Sequence, residues 1–189
     1  MKKWLFNPFI YVAGSRALIT GLVLMVITAI IAFVSHTHFD GVIDVHTSRN
    51  PAPLAVSFME QIVNLACVII LFYAAGLLFS KSSVRLVDIA GTLSLARWPM
   101  IFVAIIGFGL IAPASDSLKV VMESITPLHI LLSIVSLLLS IWMIALMYNA
   151  FTVSANIKGG KALIVFIACL LIAEISAHII LHQIYRHTI

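Results

Sequence analysis

Apolar residues run through this chain in five long blocks, each closed by a short polar or turn-forming stretch. The blocks cover about residues 17–35, 57–79, 95–112, 126–148 and 162–182. A helix needs about 20 mainly apolar residues to cross the roughly 30 Å hydrocarbon core of a bilayer, and each block is close to that length. Inside lipid a helix satisfies its own backbone hydrogen bonds, whereas an unpaired strand cannot. The pattern therefore predicts an all-α fold: a polytopic membrane bundle of five transmembrane helices forming one domain over residues 1–189. No internal repeat, low-complexity tract or separate soluble domain interrupts it.

The third block is the weakest, because Arg97 and Pro99 fall at its start. An arginine that snorkels to the headgroups and a proline in the first helical turn would accommodate both. Just before it, residues 83–96 alternate polar and apolar groups and read as a helix lying on the membrane surface. The longest connection, about 36–56, is polar and rich in turn formers (Asp40-Gly41, Asn50-Pro51, Pro53), so it is not itself a span.

Composition agrees with lipid as the solvent. Of 189 residues 62% are apolar and only 10% charged, against roughly a quarter charged in soluble domains. The net charge of +4 comes from basic residues scattered singly between apolar runs, which is no footprint for nucleic acid. Their sidedness suits a membrane instead. Lys2, Lys3, Arg16, Lys81, Arg85, Arg97, Lys158 and Lys161 fall on one side, and Arg49, Lys119 and Arg186 on the other. The positive-inside rule then places the N-terminus in the cytoplasm and the C-terminus outside, as in a bacterial inner membrane. Trp4, Phe6, Phe9, Tyr11 and Trp98 would serve as aromatic anchors on the inner face. The first block follows Met-Lys-Lys, but its apolar core is longer than a signal peptide's and no A-x-A site follows. Cys67 and Cys169 both lie inside apolar blocks, where a lone thiol behaves as a small core residue.

Seven histidines (His36, His38, His46, His129, His178, His182 and His187) all fall at or near the outer ends of the blocks. In the fifth block Glu174, His178 and His182 follow one another at intervals of four, so they share one helix face within about 80°. Ionisable groups inside a membrane helix cost roughly 2.5–3.5 kcal/mol each on insertion scales, and should face the bundle or a watery cavity. In the second block Glu60 and Asn64 form a similar pair, at a depth comparable with Glu174. The loop adds His36, His38, Asp40, Asp44 and His46. Imidazoles with carboxylates suit a divalent metal, zinc foremost. His36, His38, Asp40, Asp44, His46, His178 and His182 are the candidate ligands. Glu60 and Glu174 are the candidate catalytic bases, acting on water that ionises near neutral pH on the metal. A lipid ester, amide or phosphodiester is the matching substrate class.

The same residues admit a plainer reading, in which polar pairs hold the helices together. His129, just after Pro127, reads as a cap for the fourth span. Ser133, Ser136 and Ser140 read as small residues at a helix contact. Lys158-Gly-Gly-Lys161 lacks P-loop spacing.

Asn7-Pro8-Phe9, the segment Asp88-Ile-Ala-Gly91-Thr-Leu-Ser-Leu-Ala-Arg97-Trp98-Pro99, and Tyr148-Asn149-Ala-Phe151 leading into Lys158-Gly159 give the chain a resemblance to bacterial members of the Yip family (Ypt-interacting proteins). The resemblance covers essentially the whole chain and implies five spans with a cytoplasmic N-terminus. Eukaryotic members are associated with vesicle trafficking and Rab-type GTPases. This chain lacks their long N-terminal region and their D-L-Y-G-P segment, so no GTPase partner is carried over. Three classes of function are thus in view: a metal-dependent membrane enzyme, a non-enzymatic membrane-organising protein, and a transporter. The last is disfavoured by the nearly apolar inner halves of the spans. Membrane lipid is the expected partner, no protein partner is specified, and a homo-oligomer is left open.

Overall fold

The computed structural model describes residues 2–49, 52–110 and 124–188. Five helical spans are long and apolar enough to cross a membrane: Gly14–Val34, Leu54–Phe79, Leu86–Gly107, Pro127–Ala155 and Gly159–Arg186. This is the expected all-α bundle. A short helix α1 (Lys2–Phe6) and a 3-10 turn (Pro8–Ile10) precede α2 (Gly14–Val34). A two-stranded hairpin comes next, with β1 Thr37–His38 and β2 His46–Thr47. Then come α3 (Leu54–Phe79), α4 (Leu86–Ala96), α5 (Met100–Gly107), α6 (Pro127–Ala155) and α7 (Gly159–Thr188).

The third span differs from its expected form. Residues 83–96 do not lie on a surface: Leu86–Ala96 is the first half of the span, with Ile89, Leu93 and Ala96 wholly buried. Buried positions make up 67% of this span's most apolar stretch, against 17% for the fourth. A helix surrounded by protein meets little lipid, so it can carry Thr92, Ser94 and Arg97 and still cross. That is why it reads weakly on hydropathy. Arg97 itself is 6% exposed and sits at the α4–α5 junction inside the bundle, not at the headgroups. It therefore leaves the tally of basic loop residues. Pro99 is the N-cap of α5, as a residue without an N–H suits.

The helix α4 packs most extensively on α2, and small residues make this possible. A Cβ placed at Gly91 would collide with the carbonyl of Gly14, and one at Gly21 with Ser94. The helix α3 packs along α7. Lys161 there donates from Nζ to the Phe79 carbonyl at 3.1 Å, which satisfies an orphan acceptor at the C-terminus of α3.

At the N-terminal end, α1 is tied to α6 by Trp142 Nε1 donating to the Leu5 carbonyl (3.0 Å) and Asn149 Nδ2 to that of Phe6 (2.8 Å). Trp4 and Tyr11 stack on each other and are exposed, as interfacial anchors would be. Phe9, by contrast, is core, and Trp98 packs edge-on against Trp142 within the bundle. His129 does cap α6, exchanging hydrogen bonds with Thr126 in a capping box.

The α2–α4 contact yields a test. Gly91→Leu should lower the unfolding temperature of the detergent-purified protein and cost about 1–3 kcal/mol through overpacking. Gly160→Ala, where an added Cβ meets nothing within 4 Å, should leave it unchanged or slightly raised. Equal behaviour of the two variants would refute the close helix approach.

Candidate metal centre beneath a buried hairpin

The site begins where α2 ends. Ser35 closes the helix, and His36 turns the chain with a left-handed φ of 53°, which costs a non-glycine residue some strain. Thr37 and His38 then pair antiparallel with Thr47 and His46. Residues directly opposite in such a pair share a face, and the rings of His38 and His46 stack with centroids 5.7 Å apart. The loop between the strands dips into the bundle, burying Phe39 and Val42 completely. Gly41 lets it pass: a Cβ there would collide with the Glu174 carboxylate.

A loop at that depth must find partners for its backbone, because lipid supplies none. Four side chains of the spans do so. Glu60 Oε2 accepts from Phe39 N–H (2.9 Å), Asn64 Nδ2 donates to the Phe39 carbonyl (2.8 Å), and Glu174 Oε2 accepts from Ile43 N–H (2.9 Å). Arg97 Nη1 donates to the Val42 carbonyl at 3.1 Å, and Glu174 is the carboxylate that acts on Arg97 electrostatically. Arg97 also lines a cavity of about 10 Å3 with Gln61 and Thr28, about the room of one water.

The remaining oxygen of Glu60 builds the centre. Oε1 lies 2.6 Å from His38 Nδ1 and accepts from the Tyr185 hydroxyl at 2.8 Å. The same hydroxyl stands 2.8 Å from Asp40 Oδ1. One O–H proton serves one acceptor at a time, so Tyr185 stands between the two carboxylates and donates to either Asp40 or Glu60. His38, Asp40 and Glu60 each offer a ligand atom, all within 4.8 Å of one another, and among the described residues this is the group able to hold a metal ion. The His38 pKa is raised, chiefly by its hydrogen bond to Glu60, with the charges of Glu60 and Asp40 adding to it and burial opposing it.

The expected donor set is narrower and differently divided than its sequence suggests. Of the candidate ligands His36, His38, Asp40, Asp44, His46, His178 and His182, only His38 and Asp40 belong to this group. Glu60, read as a base, stands in the group that could hold the metal. Glu174, the other expected base, sits apart, holding the hairpin backbone. His178 and His182 are exposed, yet they line a cavity of about 30 Å3 together with Asp40 and Tyr185. His46 is exposed with Nδ1 3.7 Å from Asp40 Oδ2, and Asp44 is exposed on the loop. His36 is half-buried with Nδ1 unpartnered. Lys119, part of the charge asymmetry, and the side chain of His187 lie outside the described residues.

Two residues that matter here were not singled out for chemistry by sequence. Tyr185 could have been: it follows Glu174 by eleven positions, about 20° away on the helix wheel. Arg97 was visible, but only the depth of its surroundings separates a buried cation from a snorkelling one. Comparison with protein-family models, curated proteins and solved structures gives no match. The site therefore stands on its own geometry.

The raised His38 pKa fixes a sign. In metal-free protein the charged His38–Glu60 pair is fully stabilising below 6.5, the unperturbed value, and is lost as pH rises through the raised one. Unfolding temperature in chelator should thus fall as pH is raised above that point, and the slope should flatten in Glu60→Gln. Added zinc should show the opposite trend, its stabilisation growing with pH, because zinc needs His38 deprotonated.

Proposed function

We propose that this is a Yip-like integral membrane protein whose His38–Asp40–Glu60 group holds a divalent cation, zinc foremost, and which hydrolyses an acyl lipid or related membrane substrate. The observation that carries the reading is one imidazole and two carboxylates converging within 4.8 Å, a donor set suited to zinc with one position left open. Tyr185 supports it by standing within 2.8 Å of an oxygen of each carboxylate, donating to one at a time, as outer groups orient metal ligands. When bound, the metal supplies an activated water near neutral pH. The small cavity lined by Asp40, His178, His182 and Tyr185 would give such a water room, with the two histidines as the candidate proton acceptors. Hydrolysis would break an ester C–O bond, with hydroxide joining the acyl carbon and the proton passing to the departing alkoxide. The distribution of basic residues supports placing this end of the bundle on the outer face of a bacterial inner membrane.

A second reading has an observation of its own. Both Glu60 oxygens are fully engaged by Phe39 N–H, His38 and Tyr185, so the cluster is complete as a structural lock. The protein would then organise membranes or partners without catalysis.

Metal analysis of detergent-purified protein separates the two. About one zinc per chain should copurify, be lost in His38→Ala and Glu60→Gln, and persist in the His178→Ala/His182→Ala double variant, which should instead lose hydrolysis of lipid esters. Wild-type protein without metal, despite zinc in the buffer, would sink the metal centre and favour the lock.

A further inference from the structure

The cavity beside Asp40 draws four residues from α7: His178, Leu181, His182 and Tyr185. Their positions are i, i+3, i+4 and i+7, which fall within about 100° of the helix wheel. A single face of α7 is thus turned on Asp40, and it carries two imidazoles one turn apart. At that spacing the Cβ atoms are about 5–6 Å apart, from which two helical histidines share one metal ion.

The two histidines are uncommitted. No hydrogen bond or ion pair among the described residues engages either ring, and both are exposed. Leu181 between them is buried, so the helix is anchored while the rings beside it can turn. Asp40, across the cavity, keeps coordinating capacity. Tyr185 approaches its Oδ1, and His46 stands 3.7 Å from Oδ2, while a carboxylate offers about four lone-pair sites. Asp40 can therefore serve the His38–Glu60 group with one lone pair and the cavity with another.

Size agrees with an ion. The cavity measures about 30 Å3, and about 10–15 Å3 is enough to hold one water. Zinc takes imidazole nitrogen and carboxylate oxygen at about 2.0–2.2 Å, closer than a hydrogen-bonded water stands, so the rings have to close on it. His178 and His182 lie outside the 4.8 Å group of His38, Asp40 and Glu60. Closure means rotating exposed side chains between staggered rotamers, with no movement of the helix. Ligands that are not held in place bind more weakly than a fixed set, so this pair ranks below the buried group in affinity.

We infer that His178, His182 and Asp40 form a second, lower-affinity site for a divalent cation of the zinc type, sharing Asp40 with the first. The two imidazoles are also the candidate proton acceptors of the hydrolytic reading. A neutral imidazole has one acceptor nitrogen, and a metal ion occupies it. The first ion therefore supports hydrolysis and the second inhibits it. The site stands without the hydrolytic reading, and only its inhibitory effect rests on that reading.

The test is calorimetric titration of the detergent-purified protein with zinc, with lipid-ester hydrolysis followed in parallel. Protein that carries its copurified zinc should take up about one further equivalent, and hydrolysis should fall as this equivalent binds. His178→Ala and His182→Ala should each weaken the uptake at least about ten-fold, the lower end of what even an outer partner of a metal ligand contributes. Both should keep the copurified zinc. His182→Ala/Gln183→His retains two histidines but sets the second about 140° round the helix from His178, and should not restore the uptake. In His38→Ala, which lacks the first ion, the uptake should persist. Absence of a further equivalent, uptake unchanged in both single variants, or uptake restored by the displaced histidine overturns the site. Hydrolysis that continues at saturation overturns the inhibitory role. Wild-type protein without copurified zinc that still shows uptake dependent on His178 and His182 upholds the second site and removes the hydrolytic reading instead.

Discussion

The backbone of residues 39–43 leaves helical structure deep inside a bundle made for lipid, and its polar groups have to be met there. An unpaired amide in an apolar medium costs roughly 2–7 kcal/mol, so a loop of this kind persists only if protein surrounds and bonds it. Glu60, Asn64, Arg97 and Glu174 do this from three different spans. Ionisable side chains that would each be costly alone in a membrane helix are retained because each answers a specific N–H or C=O of the hairpin.

The same solution dictates the rest of the architecture. Arg97 reaches Val42 only from the middle of the third span, so that span has to be central, and a central helix needs small residues where it crosses its neighbours. Gly21 and Gly91 supply them. Glu174 and Gly41 form the matching contact on the fifth span. Adding bulk at either interface and removing charge from either carboxylate therefore act on one assembled unit rather than on independent sites.

Rigidity has a chemical consequence. Because Phe39 N–H and Tyr185 fix the Glu60 carboxylate, His38 and Asp40 are held opposite it without needing a metal to gather them. On the metal-binding reading an ion would displace the His38–Glu60 hydrogen bond while Tyr185 keeps the carboxylates in place. The arrangement also places proton and metal in competition for His38. A small cavity lined by Asp40, His178 and His182 adjoins the centre, and His46, 3.7 Å from Asp40, lines a larger chamber.

Five spans could be read directly from sequence, since hydrocarbon thickness and the need for internal backbone hydrogen bonds are local constraints that act on every consecutive run of residues. The face shared by Glu174, His178 and His182 was legible for the same reason, helical periodicity being a property of one segment. What lay across from that face was not. The 36–56 connection looked like an ordinary polar loop, and residues 83–96 like a surface helix, because an alternating pattern records partial burial without saying what covers it. Only tertiary structure decided that the loop folds inward and the surface helix is the innermost span. It also decided that Glu60 joins His38 and Asp40 while Glu174 does not. Those outcomes depend on the packing of residues 22 to 131 positions apart, and there the energy of a polar group is set by its partner rather than by its own neighbours in the chain.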